Sequence, residues 1–243
     1  MGTGAAAVVI GNEVLTAKVT EANGAWLIKR LHEKGVLLQS VQFVLDEVDA
    51  IVEAVVSARR RAKWVLTSGG IGPTHDDVTV RAVALALGRR VVRLPEMETL
   101  VREHYGEGMT PEALRLAEAP EGSELIYQPQ ARYPVLACDH VYLLPGVPSL
   151  FRLQLETVIA RFPGHPGQLQ VLYLSAVEAE IAHALDRIAL DMPEVAIGSY
   201  PNLDPDAGYK VKLTVEHAEP GPVARAIERL EAELPRGCVI RKE

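Results

Sequence analysis

The run Thr67-Ser68-Gly69-Gly70-Ile71-Gly72-Pro73-Thr74-His75-Asp76-Asp77 gathers residue types that suit a phosphorylated ligand. Gly69, Gly70 and Gly72 let the backbone take positive φ and approach a bound group closely. Asp76 and Asp77 are adjacent carboxylates, hard oxygen ligands that suit Mg²⁺, Mn²⁺ or Co²⁺. Ser68 and Thr74 add hydroxyls. Capping the helix that follows needs one aspartate. Three glycines, a proline, two hydroxyls and two carboxylates exceed that need. The run lacks the Gly-Lys-Ser/Thr of a Walker loop and the Gly-x-Gly-x-x-Gly of a dinucleotide fingerprint. The chemistry to expect is a phosphate cradle with a carboxylate-held metal beside it.

The elements around this run must position it. Trp64-Val65-Leu66 ends a buried strand, and Val78 to Leu87 reads as a helix. The run is therefore a strand-to-helix turn, and the amides at the helix start attract anions. Upstream, Ala5 to Ile10 reads as a strand closed by Gly11, with Asn12 to Leu15 as a loop. Thr20 caps a helix over Glu21 to Lys34, a strand spans Val36 to Leu45, and a helix spans Val48 to Arg61. A third strand covers Lys63 to Thr67. Alternating strands and helices predict a parallel sheet covered on both faces. Ligands in such sheets bind at the carboxyl ends of the strands. Asn12-Glu13, Asp46-Glu47 and the glycine turn all fall at such ends, so they are expected to share one site.

Downstream, Arg89 to Leu94 reads as a short strand, and Pro95 to Met109 and Pro111 to Ala117 as helices. The second carries Glu112, Arg115 and Glu118 outward. Leu125 to Ala137 reads as irregular. Val141 to Leu144 is a strand running into Pro145-Gly146-Val147-Pro148, a second strand-to-helix turn, stiffened by two prolines. A helix from Ser149 to Arg161 follows. Phe162-Pro163-Gly164-His165-Pro166-Gly167 is a linker, which predicts domains at 1–163 and 168–243. Beyond it the order β-α-β-β-α-β predicts a small ferredoxin-like domain. Lys210 and Lys212, two apart, share a strand face that reads as solvated.

Composition narrows the partners. The net charge is −7, and the one dense basic run, Arg59-Arg60-Arg61-Ala62-Lys63, sits at a helix end where cations complement the dipole. A nucleic-acid partner is not expected. Cys138 and Cys238 are far apart, which suggests neither a disulfide framework nor a zinc site. No leader or membrane span is predicted, so the expected location is the cytoplasm.

Residues 68 to 79, Ser-Gly-Gly-Ile-Gly-Pro-Thr-His-Asp-Asp-Val-Thr, resemble the signature of the MoaB/MogA molybdopterin-binding fold. Within that superfamily the chain is similar to the N-terminal domain of the CinA group. It is closer still to the molybdopterin-binding-like domain of eukaryotic FAD synthases. Gly11-Asn12-Glu13-Val14-Leu15, Asn23, Asp46-Glu47, Leu144-Pro145-Gly146-Val147-Pro148 and Gly198-Ser199-Tyr200-Pro201 carry the rest of the likeness. Gln130 to Val135 replaces the Gly-Thr-Ala-Pro-Gly usual in CinA chains and resembles the FAD-synthase branch. No deamidase or adenylyltransferase domain follows in this sequence, so their activities are not expected of it.

The resemblance implies a three-layer αβα fold and a metal-dependent hydrolase of nucleotide pyrophosphates, acting on FAD or ADP-ribose and releasing AMP. Asp76, Asp77 and Asp46 would hold the divalent ion. Asp46 or Glu13 would position the attacking water, and His75 would assist or stand by. The phosphate-binding set would be Ser68, Gly69, Gly70, Gly72, Thr74, Thr79, Asn23, Pro145, Gly146 and Val147. No flavin or haem is expected as a fixed cofactor. The ligand would be a nucleotide or a pterin, and relatives suggest a homo-oligomer, dimer or trimer. A molybdopterin-binding or adenylyl- or metal-transfer protein, and a non-catalytic nucleotide-binding module, are the alternatives.

Overall fold

The computed structural model describes residues 4–243. The chain divides between Gly164 and His165 into two compact units. The first unit opens with β1 (Ala5–Ile10), a single helical turn α1 (Asn12–Leu15), α2 (Asn23–Lys34), β2 (Leu38–Val44), α3 (Val48–Arg61) and β3 (Trp64–Ser68). It continues with α4 (Thr79–Ala86), β4 (Val91–Arg93), α5 (Pro95–Tyr105), a 3₁₀ helix at Glu112–Ala117, β5 (Glu118–Pro120) and β6 (Glu124–Ile126). It closes with β7 (Val135–Cys138), β8 (Val141–Leu144) and α6 (Pro148–Ile159).

Six strands form one sheet in the order β2-β1-β3-β8-β7-β6. The pairs β1/β2, β1/β3 and β3/β8 are parallel, and β7/β8 and β6/β7 are antiparallel. Alternation along each strand sends side chains to both faces. Ala5 and Ala7 of β1, with Trp64 and Leu66 of β3, pack under Leu27 and Leu31 of α2 and Phe151 and Leu155 of α6. Ala6, Val8 and Ile10, with Val65 and Leu143, pack against Ile51 and Val55 of α3 and Val83 of α4. Because both faces are covered, β1 and β3 read as continuous apolar runs instead of alternating ones. The result is a three-layer α/β unit.

Several sequence expectations shift. Asn12 to Leu15 is helical, not a loop. Helix α2 begins at Asn23, not Glu21, and Thr20 does not cap it. The Glu21 carboxylate accepts the Gly24 amide at 2.6 Å and the Ala25 amide at 3.4 Å instead. Helix α4 starts at Thr79, so Asp76 and Asp77 stand in the turn before it and do not cap it. The stretch read as irregular, Leu125 to Ala137, takes in most of β6 and β7, strands that lie on either side of Pro129 and Pro134 and are too short to show a period. Residues 112–117 form a 3₁₀ helix, which winds about three residues per turn; Glu112 and Arg115 are exposed as expected, and Ala113 and Ala117 are buried.

The second unit comprises β9 (Gln168–Leu174), α7 (Glu178–Asp191), β10 (Ala196–Pro201), β11 (Val211–His217), α8 (Pro220–Glu233) and β12 (Val239–Lys242). Its sheet runs β10-β11-β9-β12, antiparallel throughout. Leu172, Leu213 and Val215 bury one face against Ile181 and Ile188 of α7 and Ala226 and Leu230 of α8. Lys212 lies on the opposite face, paired with Tyr200 and Tyr173. Lys210 precedes β11 and is exposed. Among the described residues no helix is long and apolar enough to cross a membrane.

Candidate functional site

The glycine turn leaves the end of β3 and cannot be built from other residues. Gly69 has φ +101°, and a Cβ there would lie 2.3 Å from the Ile10 carbonyl oxygen. Gly70 has φ +66°, and a Cβ there would lie 2.3 Å from Thr79 Oγ1. The Thr79 hydroxyl donates to the Gly69 carbonyl at 2.9 Å, and the Thr79 amide donates to the Gly70 carbonyl at 2.9 Å. These bonds fold the turn back onto the first residue of α4.

The second turn, Pro145 to Pro148, joins the first. The Gly69 amide donates to Leu144 O at 3.1 Å. A Cβ on Gly146 would sit 3.4 Å from Gly69 Cα, so the two backbones are in contact. Asn23, 6% exposed, bridges them from the start of α2. Its Nδ2 donates to Ser68 Oγ at 2.9 Å and to Gly146 O at 2.8 Å. Buried polar groups of this kind make the position of two loops specific.

The carboxylates arrive from three strand ends. Asp46 follows β2. Its Oδ2 accepts the Asn12 amide at 2.7 Å, and its own amide donates to Asn12 Oδ1 at 3.2 Å. Burial pushes the Asp46 carboxyl above the ordinary aspartate range. The Asn12 bond opposes that shift, and the charges of Glu13, Asp76 and Asp77 add to it. In the glycine turn, Thr74 donates its amide to Asp77 Oδ2 at 2.8 Å and its hydroxyl to Asp76 Oδ1 at 2.6 Å. The hydroxyl bond from Thr74 holds Asp76 below the ordinary range.

Glu13, Asp46, Asp76 and Asp77 line one cavity of about 620 Å³ together with Gly69, Gly70, Gly72, Pro145, Gly146 and Val147. Its remaining walls are largely apolar: Met97 and Tyr105 of α5, Leu116 of the 3₁₀ helix, Leu136 of β7, Leu143 of β8, Leu150 of α6, and Tyr133 from the loop before β7. Among the described residues no group of three or more His, Cys, Asp or Glu is placed to hold a metal ion. The three-aspartate arrangement implied by the resemblance is therefore not assembled by the protein alone. The donors do fit a hard cation of the Mg²⁺ type, which binds through one or two carboxylates plus a ligand's phosphate oxygens.

Other expected residues serve the scaffold. Ser68 and Asn23 are buried behind the turns, and Thr79 is fully buried with its hydroxyl committed to Gly69. Thr74 and His75 border a neighbouring depression that shares Pro73, Tyr105 and Arg115 with the cavity, and the His75 side chain there is 94% exposed. Arg115, expected outward, is exposed and in addition lines the cavity, donating from Nη1 to the carbonyls of Pro73 and Thr74 at 3.3 and 3.2 Å. Gln154, 6% exposed, also lines the cavity and donates to Tyr133 O at 2.9 Å. The 3₁₀ period would have been needed to find Arg115 from sequence. No sequence signal points to Gln154.

Residues 6–172 match the family described as "Probable molybdopterin binding domain", and residues 167–243 match "FAD synthase, middle domain". A protein of Archaeoglobus fulgidus is 32% identical over 93% of this chain and 95% of its own length. A "Probable FAD synthase" of Caenorhabditis elegans is 31% identical over 97% of this chain, which spans 50% of that protein. The crystal structure of CinA, a protein of unknown function from Thermoplasma acidophilum, superposes with a TM-score of 0.60 at 29% identity. That match covers 65% of this chain and 96% of CinA. With its glycine turn, its strand-end carboxylates and its two-part fold, this chain belongs to the molybdopterin-binding-domain family, in the form that carries an FAD-synthase middle domain after it.

Proposed function

We propose that this chain hydrolyses nucleotide pyrophosphates, of the FAD or ADP-ribose type, with the help of a divalent cation. The observation that carries the reading is the make-up of the cavity at the strand ends. Glycine-turn backbone and four carboxylates stand at the strand ends, and apolar walls extend beyond them. A pyrophosphate needs the first, and a nucleotide's ring and ribose suit the second. Gly69, Gly70 and Gly72 bring backbone close to one phosphate, and the Pro145-Gly146-Val147 loop, locked to them by Asn23, meets the other. Asp76 and Asp77, or Asp46, would hold a divalent cation together with the ligand's phosphate oxygens, and that ion would supply charge neutralisation to the pyrophosphate. Asp46, with its raised pKa, is a stronger proton acceptor than an ordinary aspartate and orients the attacking water, with Glu13 beside it.

The test is incubation of the protein with FAD, ADP-ribose, NAD and CoA in turn, with Mg²⁺, Mn²⁺ or Co²⁺, followed by chromatography. The expected result is metal-dependent release of AMP from one of them. Asp76→Ala and Asp77→Ala should each slow release by about 10²-fold or more while the circular dichroism is unchanged. Full activity in both variants would remove them from the mechanism. The second reading is a binding or transfer protein for a pterin or nucleotide. It draws support from the lack of three preassembled metal ligands among the described residues. Tight binding without cleavage of any compound would select it.

A further inference from the structure

Among the cavity-lining residues that are described, Arg115 is the only lysine or arginine, set against the acids Glu13, Asp46, Asp76, Asp77 and Glu118. An anionic ligand entering such a cavity meets net repulsion unless cations are supplied. Arg115 is exposed and reaches the site from the 3₁₀ helix. Its two bonds run from Nη1 alone, at 3.3 and 3.2 Å, to the carbonyls of Pro73 and Thr74. It forms no ion pair among the described residues, so Nε–H and the Nη2 protons remain unpaired. A guanidinium held on one nitrogen keeps a two-donor edge, the fork that matches a phosphate's oxygens.

We propose that Arg115 is the phosphate-contacting cation of this site, receiving one phosphate of the ligand on its unpaired edge while Nη1 stays on the turn. This rests on the cavity being a nucleotide pyrophosphate site, as argued above. It also joins ligand charge to the aspartates, because the carbonyls that hold Arg115 belong to the same turn as Asp76 and Asp77. A lysine would bring the charge without the fork and could not hold turn and phosphate at once.

Calorimetric titration with ADP-ribose, at several salt concentrations and without hydrolysis being read, tests it. Arg115→Met is expected to weaken binding by about 10- to 100-fold, the range for losing hydrogen bonds to a charged group. It should also flatten the dependence of affinity on salt, because the screened attraction is gone. Arg115→Lys should fall between wild type and Arg115→Met in affinity and keep the wild-type salt dependence. If Arg115 only props the turn, Arg115→Met loses affinity with the salt dependence unchanged, and the proposal fails. Unchanged affinity in Arg115→Met, or no binding of ADP-ribose by the wild type, overturns it as well. Arg115-dependent binding with no cleavage of any dinucleotide would sink the hydrolase reading and leave this one standing. Cleavage with kcat and KM unaltered in Arg115→Met would do the reverse.

Discussion

Asp46 carries two opposed demands in one side chain. It holds the Asn12 amide, and it sits half-buried among three other carboxylates. With its folded pKa raised by burial, the native state binds its proton more tightly than the unfolded chain does. Stability from this group therefore falls as pH rises from the ordinary aspartate range through the raised value. Asparagine keeps an acceptor for the Asn12 amide and removes the charge. Asp46→Asn is accordingly expected to melt higher than wild type at pH 7. The gap should close as the pH is lowered to where wild-type Asp46 is protonated, and AMP release should be lost at every pH. A lower melting temperature at pH 7 would show that the carboxylate is stabilising as it stands. Asp76 behaves oppositely, since Thr74 lowers its pKa, but it is exposed and its contribution to stability is screened.

At the scale of elements, the two strand-to-helix turns matter more than any helix end. They touch at Gly69 and Gly146, and Asn23 ties them through Ser68 and Gly146. Asn23→Ala strips a hydrogen bond from the buried Ser68 hydroxyl and another from the Gly146 carbonyl, and should cost the first unit about 1–3 kcal/mol in urea unfolding. It should also raise KM more than it lowers kcat, because the loops part while the carboxylates of β2 and the glycine turn remain. Wild-type stability in Asn23→Ala would mean that the turns are held by backbone contacts alone. Much of this element-level picture was legible. Glycines 69, 70 and 72 announced the turn, and the parallel topology put Asn12-Glu13 and Asp46 at its side. The roles of Ser68, Asn23 and Thr79 were not legible, because a hydroxyl or amide beside a turn serves ligand and scaffold equally well until its partner is known.

At the scale of the whole molecule, the two units are stabilised by separate hydrophobic clusters. The cluster around Leu172, Leu213, Ile181 and Leu230 is built only from residues after Gly164. A fragment spanning 165–243 is therefore expected to fold by itself, with a cooperative thermal transition and dispersed amide resonances. A non-cooperative melt would show that this core needs the first unit. The sequence alone determined the main architecture, because burial imposes its pattern on the long strands and helices, though not on strands as short as β6 and β7. Continuous apolar strands mean a covered parallel sheet, and β-α-β-β-α-β after a Pro-Gly linker means a second small sheet. It also determined which strand ends carry carboxylates, since topology sends those ends to one edge of the sheet. Only the tertiary structure decided what fills the rest of the cavity. Arg115, Tyr133 and Gln154 come from a 3₁₀ helix, an irregular stretch and the middle of a helix. Their meeting depends on how those segments pack across the sheet, a long-range relation that local periodicity does not contain.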